Sequence, residues 1–306
     1  MMKKEVDFIG IGTIKSGTSF LADLLMQHPD VLWASKKEVN YFNEFEVTGN
    51  INPYSNLPLS FYYSFFKEKN NLDIKQGEFS PIYIYDQNTL IRIKKIFPQI
   101  KVLVAIRNPV QRAYSHYWYS INFTKIIPKD ISFDKALTQY PFLLELGLYS
   151  SMIRNTISTF SPENTLILTF DQLINNTAES IRSTYNFIGV STDFSPSIKK
   201  VNESKQVKNV MLDKLYGFPG KVKNFLLEKE ILSEPAFQVI LKSRLYNWIN
   251  YKKYNAIDKN VESFNKPRMQ KETKDFLYSF YYEDVIKLEH LTGFDLAAWK
   301  NPSSET

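Results

Sequence analysis

The chain contains no cysteine, which removes disulfides and thiolate chemistry from consideration and matches a reducing, cytoplasmic setting. It has only three histidines, His28, His116 and His290, too widely spaced to make a zinc-ligand set without a thiolate. No apolar run reaches the ~18 residues a membrane-spanning helix needs. The basic start, Met1-Met2-Lys3-Lys4-Glu5-Val6-Asp7, lacks a small-residue cleavage site and runs straight into a short apolar strand, so it does not read as a signal peptide. Lysine and arginine exceed aspartate and glutamate, giving a formal charge of +6 over 306 residues. That excess is spread along the chain and forms no run or stripe, which suits small anionic ligands and argues against nucleic acid. Internal repeats and a composition-marked linker are also missing. The reading is one domain over residues 1–300, with 301–306 as a disordered tail.

What is present starts near the N-terminus. Phe8-Ile9-Gly10-Ile11-Gly12-Thr13-Ile14-Lys15-Ser16-Gly17-Thr18-Ser19-Phe20 reads as a buried strand, a glycine-bearing turn and the first turn of a helix. Gly12 and Gly17 let backbone approach an anion, Lys15 supplies a cation, and Thr18 and Ser19 bring hydroxyls and amides to a helix N-terminus. Against the pattern G-x-x-x-x-G-K-[ST], Gly12 to Ser19 keeps both glycines and the final serine, but Thr18 stands where the lysine belongs and the lysine has moved to Lys15. A kinase or ATPase needs that lysine on the β- and γ-phosphates and an acidic partner for Mg²⁺; neither is evident.

The stretch Lys15-Ser16-Gly17-Thr18-Ser19-Phe20-Leu21 resembles the 5′-phosphosulfate loop of sulfotransferases that use 3′-phosphoadenosine 5′-phosphosulfate (PAPS) and release PAP. Those enzymes also carry a strand ending in arginine, followed by a helix bearing serine, which together hold the 3′-phosphate. Lys101-Val102-Leu103-Val104-Ala105-Ile106-Arg107, then Asn108-Pro109 and Ser115, supplies both in order. Asn108 suits a helix cap and Pro109 the first helical position. Arg112, one turn before Ser115, fits an ordinary surface cation as well as a site residue and is left out of the site.

The resemblance implies a three-layer α/β fold, with a central parallel sheet, a P-loop-type phosphate-binding loop and PAPS across the strand ends. It assigns Lys15, Ser16, Gly17, Thr18, Ser19, Phe20, Arg107 and Ser115 to the cofactor, with Lys205 from a basic stretch (Lys205, Lys208, Lys214, Lys221, Lys223) that closes over the nucleotide. Ser35-Lys36-Lys37-Glu38-Val39-Asn40-Tyr41-Phe42 resembles the Lys-Glu-x-x-Phe-Phe segment of carbohydrate sulfotransferases, where the glutamate is the base; Glu38 is the matching carboxylate, and Lys15 the catalytic cation. Several relatives have histidine where this chain has Asn40. Gln76-Gly77-Glu78-Phe79-Ser80-Pro81 resembles the Glu-Lys-Ser-Pro segment lining the acceptor site of heparan-type enzymes, so Lys37, Glu78 and Ser80 are acceptor-side candidates. Phe79 replaces the lysine, which argues against a heparin-like acceptor. Phe170-Asp171-Gln172-Leu173 resembles a Tyr-Glu-Asp-Leu segment whose aromatic ring lies near adenine; a core role fits Phe170 equally.

The implied reaction is in-line sulfuryl transfer to a hydroxyl, or an amine, of a polysaccharide, glycolipid or small metabolite, without metal. A P-loop kinase remains an alternative, as does a non-enzymatic nucleotide-binding protein that recruits partners through its basic C-terminal half. For the rest, the chain reads as helix over 18–27, strand Val31–Trp33, an aromatic loop and short helix over 50–71, helix Asn88–Phe97, strand Leu166–Phe170 and an amphipathic helix Gln270–Leu291. His28, before a proline at a helix end, reads as a capping residue.

Overall fold

The computed structural model describes residues 6–45, 52, 54, 57–69, 71, 73–198, 205–207 and 261–301. Five strands, β1 (Phe8–Gly12), β2 (Val31–Trp33), β3 (Lys75–Phe79), β4 (Lys101–Ile106) and β5 (Thr165–Thr169), form one sheet in the order β2-β3-β1-β4-β5. Every pairing is parallel, with Phe8 opposite both Gly77 and Lys101 and Ile106 opposite Thr169. Both faces are covered, as parallel sheets require. Ile9, Ile11, Val102, Val104 and Ile106 point into one core, shared with α2 (Leu59–Tyr63), α3 (Gln87–Ile96), α4 (Pro109–Tyr119), α5 (Phe133–Gln139), α6 (Phe142–Glu145), α7 (Tyr149–Phe160) and the C-terminal helix Lys271–Thr292. Phe8, Leu103, Ala105 and Leu168 point into the other, against α1 (Thr18–Leu25) and α9 (Thr177–Ile188). The architecture is the expected three-layer α/β fold.

β1 is the middle strand. The chain leaves it through α1 for one edge, returns to β3 beside it, and then crosses to β4 on its far side. Strand order therefore reverses around β1, and the crevice at the carboxyl ends beside such a strand is where open α/β sheets bind ligands. The segments after β1, β2, β3, β4 and β5 all emerge at that edge.

Two elements differ from the sequence reading. Phe170 opens a helix, α8 (Phe170–Asn175), and does not finish β5. Thr169 accepts from the Gln172 amide, and Gln172 Oε1 accepts from the Thr169 amide, a capping box that stops the strand there. Lys75–Phe79, whose lysine, glutamine, glycine and glutamate do not read as strand, is a central strand with Gln76 and Glu78 fully buried. The C-terminal helix runs over Lys271–Thr292, where Gly293 ends it at φ 70°. His28 is a buried structural residue: its Nδ1 accepts from the Asp30 amide and its Nε2 pairs with the Ser191 carbonyl. Arg112 is the opposite of a surface cation. It is 0% exposed, lies near enough to Tyr85 and Tyr149 for its charge to act on both, and donates to the Leu143 carbonyl.

Candidate active site

The β1–α1 loop is held from below by buried hydroxyls. The Thr13 Oγ1 atom donates to the Ala105 carbonyl at 2.9 Å and lies 2.6 Å from Ser16 Oγ, while Tyr85 OH accepts from the Ile14 amide at 3.0 Å. Ser16 is fully buried, so its hydroxyl is engaged in shaping the loop and its backbone is what it can offer an anion. The loop turns through two left-handed residues, Lys15 at φ 68° and Gly17 at φ 86°. Gly17 needs its missing side chain twice over, because a Cβ there would also stand 2.7 Å from the Phe170 ring. Gly17 is the N-cap of α1, and among the described residues no side chain caps the helix. The first-turn amides, at Thr18, Ser19 and Phe20, thus face the crevice as an anion-binding end. The Phe20 side chain itself packs in the core.

Three cations converge on this end. Lys15 is held down to about 8, first by burial and then by Lys266 and Arg107; Glu38 opposes the shift, and Lys37 adds to it. Lys266 is likewise held down to about 8 by burial and by Arg107. Depression by burial and by a shared arginine marks cations gathered in a poorly solvated site that suits negative charge. Arg107, just past the end of β4, lies with its guanidinium carbon 4.3 Å from the centre of the Phe170 ring and donates to Gln111 Oε1 at 3.3 Å from Nε and from Nη2. Asn108 caps α4 by accepting from the Val110 and Gln111 amides, Pro109 takes the first helical position, and Ser115, 8% exposed, follows on the same helix. Phe170 is half-buried between Gly17 and Arg107 and is not a core residue.

Lys266 is the member that the sequence did not disclose. Its neighbour Pro267 is tied to α4, its carbonyl accepting from Tyr114 OH at 2.7 Å, one residue before Ser115. A lysine and an arginine flanking that proline, ahead of the last helix, are the only sequence signal.

Glu38, in the irregular segment after β2, also lies within reach of the Lys15 charge. Burial raises its pKa above the usual carboxylate range, against the pull of Lys37, Lys36 and Lys15. Tyr119, at the end of α4, covers the pair: its ring centre lies 4.2 Å from Lys15 Nζ, Glu38 raises its pKa after burial does, and it stacks on Phe123 at 5.4 Å. Tyr119 is 36% exposed, so a partly open aromatic face adjoins the cation and the carboxylate. Lys205 lies on a short strand, β6 (Lys205–Val207), antiparallel to β7 (Val261–Ser263) and packed by its backbone on the Ser120–Thr124 turn after Tyr119. Lys208, Lys214, Lys221 and Lys223 lie outside the described residues. Lys37 is half-buried beside Glu38. Glu78 and Ser80 are both 0% exposed and present no surface to an acceptor. His116, buried beside Arg112, is driven well below the usual histidine range by burial, Arg112 and Lys15, and is neutral.

The model of a family described as Sulfotransferase domain matches residues 5–273. Among curated proteins, the chain is 33% identical over 144 residues to the membrane-associated sulfotransferase kil1 of Dictyostelium discoideum, covering 45% of this chain and 29% of that protein. It is 26% identical over 185 residues to mouse heparan sulfate glucosamine 3-O-sulfotransferase 6, covering 59% of this chain and 51% of the relative. The human bifunctional heparan sulfate N-deacetylase/N-sulfotransferase 3 is 24% identical over 312 residues, covering 95% of this chain and 31% of that protein. The chain thus spans about half, or less, of the length of these relatives. Among solved structures, a sulfotransferase from Alicyclobacillus acidocaldarius superposes with a TM-score of 0.67 at 22% identity over 97% of this chain and 99% of that one. That likeness speaks for the fold.

Proposed function

The chain belongs to the sulfotransferase domain family, whose sulfuryl donor is PAPS, and we propose that it transfers the sulfuryl group to a hydroxyl, or an amine, of a carbohydrate or small-molecule acceptor with Glu38 as base. The observation that supports this reading is that Lys15 feels two kinds of group. Arg107 and Lys266 lie near enough to push its pKa down, and Glu38 near enough to push it up. Three cations and an open helix end are the complement of a nucleotide with two separate phosphate groups. Arg107 and Ser115 would hold the 3′-phosphate, Phe170 would pack near the base, and Lys15 with the Ser16 to Phe20 amides would hold the 5′ side. In the transfer, the acceptor oxygen forms a bond to sulfur as the bond from sulfur to the phosphate oxygen breaks. Glu38 takes the acceptor proton, and Lys15 and the loop amides stabilise the charge left on the departing phosphate. Such stabilisation contributes roughly 3 to 4 kcal/mol per well-placed donor.

Phe79 is 1% exposed, so β3 presents no cation where heparan-type enzymes have one, and the acceptor side offers the Tyr119 and Phe123 rings instead. A ring-bearing hydroxyl compound of low charge fits that surface better than a polysulfated chain. No helix among the described residues is long and apolar enough to cross a membrane, and the absence of cysteine supports a cytosolic setting.

The test is thermal stabilisation by PAP against AMP, followed by PAPS turnover on a panel of phenols, glycosides and oligosaccharides read by mass spectrometry. PAP should stabilise the protein much more than AMP, since each charge-assisted contact to the 3′-phosphate contributes on the order of 1.5 to 3 kcal/mol. Equal shifts for the two nucleotides overturn the assignment of Arg107 and Ser115. Turnover should persist in EDTA; loss with chelator and recovery with Mg²⁺ would return the site to kinase chemistry.

A further inference from the structure

Residues 39–42 follow Glu38 without regular secondary structure, so their amides need acceptors from elsewhere. The acceptors all come from the end of β3 and the turn beyond it. Glu78 Oε2 accepts from the Val39 amide at 3.3 Å, Ser80 Oγ from the Asn40 amide at 2.9 Å, and Tyr83 OH from the Tyr41 and Phe42 amides at 2.8 and 3.5 Å. Ser80 also donates its proton to Glu78 Oε2 at 2.5 Å. All three side chains are fully buried. Asn40 takes a left-handed conformation at φ 52°, which a residue without glycine's freedom keeps only when its surroundings hold it. Four successive amides are thus caught by three side chains within six residues of another element, directly after the carboxylate assigned as base.

We propose that Glu78, with Ser80 and Tyr83, is a positioning device that fixes the backbone of residues 39–42 and thereby sets where Glu38 stands against Lys15. This rests on the reading of Glu38 as base and gives Glu78 and Ser80 a part that needs no contact with the acceptor.

The remaining contacts of Glu78 support a role of this kind over one of simple stability. Among the described residues its Oε1 has no hydrogen-bond partner, and the Tyr62 hydroxyl, equally unpartnered there, lies near the carboxylate. Tyr83 and Lys36 are the other polar neighbours, and burial lifts Glu78 to about 7 despite the bonds from Ser80, Val39 and Tyr83 and the charge of Lys36. A carboxylate raised in the folded state contributes stability below its unfolded pKa and loses it as pH rises through 7. At pH 8 the fold therefore carries a carboxylate that costs stability, while the acceptor it supplies holds the loop.

The experiment compares Glu78→Leu and Glu78→Gln with Glu38→Gln, using PAP as ligand and PAPS with phenol and methyl β-glucoside as hydroxyl probes. Leucine removes the acceptor. Amide exchange of residues 39–42, measured by mass spectrometry with PAP bound, should quicken about 10-fold, and kcat should fall about 10- to 100-fold, with PAP affinity and acceptor KM unchanged. Glutamine keeps a carbonyl where Oε2 stands and should recover most of that loss, and its melting temperature at pH 8 should equal or exceed the wild type's. The Glu38→Gln, Glu78→Leu double variant should be no slower than Glu38→Gln alone, because a residue acting through another adds nothing once that other is gone. Should the leucine variant not fold, Ser80→Ala, which removes the acceptor of the Asn40 amide, carries the same expectations. The proposal is overturned by unchanged exchange at 39–42, by additive losses in the double variant, by a glutamine variant as slow as the leucine one, or by a raised acceptor KM with kcat preserved. Normal turnover in Glu38→Gln would remove the base assignment by itself, while the exchange of 39–42 would still report whether Glu78 holds the segment.

Discussion

Raising the pH from 7 to 9 should weaken PAP binding steeply, and the size of the effect follows from two lysines. Lys15 and Lys266 both sit at about 8 in the protein, pushed down by burial and by neighbouring cations. Phosphate oxygens beside them reverse that shift, since opposite charge favours the ammonium form. Binding therefore takes up protons wherever the lysines of the unliganded protein have lost them. With a pKa of about 8, each is roughly nine-tenths charged at pH 7 and one-tenth charged at pH 9, so each costs about 10-fold in affinity over that span. If both meet phosphate, the loss is about 100-fold, or roughly 2.7 kcal/mol. An exposed lysine, with its ordinary pKa near 10.4, would give almost none.

The assay is calorimetric titration of PAP at pH 7, 8 and 9, in two buffers that differ in ionisation heat, so that proton uptake is counted directly. Uptake should be small at pH 7 and approach two protons at pH 9. Lys15→Arg, which stays charged throughout, should remove about half of the slope. The unliganded protein should show the mirror image. A lysine depressed in the folded state gives its stability contribution above its unfolded pKa and loses it as pH falls through about 8, so the melting temperature should rise with pH across 8 to 10.5 and the gain from PAP should shrink. An affinity that is flat between pH 7 and 9, or binding without proton uptake, would refute the convergence of Lys15, Arg107 and Lys266 on one anion.

Gly17→Ala should cost on the order of 1 to 3 kcal/mol through its left-handed backbone and should weaken PAP binding by more than that strain, because the added Cβ meets the Phe170 ring; a thermal melt with and without PAP checks both, and a PAP-induced shift equal to the wild type's would sink the account of the loop. Phe170→Leu should weaken PAP affinity by about 0.5 to 2 kcal/mol through loss of the contact with Arg107, read by titration, whereas an unchanged affinity would make the ring merely structural. Glu38→Gln should leave PAP binding intact and lower turnover about 10² to 10⁴-fold, the span of a general base; near-normal turnover would move the base elsewhere. Arg112→Met should lower stability and cost little turnover, since Arg112 is fully buried and bonded to the Leu143 carbonyl and His116; a turnover loss as large as that of Glu38→Gln would show that its charge acts on the transferred group.

The parts of the fold that were legible are those where local pattern and burial agree. β4, Lys101–Ile106, is an apolar, largely β-branched run, and it lies next to the middle strand with both neighbours parallel. The loop after β1 was legible because anion binding at a helix end needs glycine, hydroxyl and cation in a short span, and here they stand between an apolar strand and a helix-period run. β3 was not legible. Its residues Lys75-Gln76-Gly77-Glu78-Phe79 carry two buried polar side chains whose partners come from remote segments, Gln76 Oε1 accepting from the Lys67 amide and Glu78 from Val39 and Ser80. Satisfaction of this kind is a tertiary fact, and propensity alone votes against the strand.

The same division explains the site. Arg107 and Ser115 could be proposed from the sequence because a strand and the helix that follows it set both positions within one local unit, whereas Lys266 comes near Arg107 through remote contacts of its segment, Pro267 with Tyr114 across 153 residues of chain and Phe264 with Trp118 among them. Glu78 shows the subtler limit. The resemblance drew attention to the right segment, but a carboxylate that touches an acceptor and one that holds the base's backbone have the same letter in the sequence. They are told apart by exposure and by what the oxygens accept. Glu78 is fully buried, and Oε2 takes its bonds from Val39 and Ser80, so the part proposed for it in catalysis is one that passes through the segment beginning at Glu38.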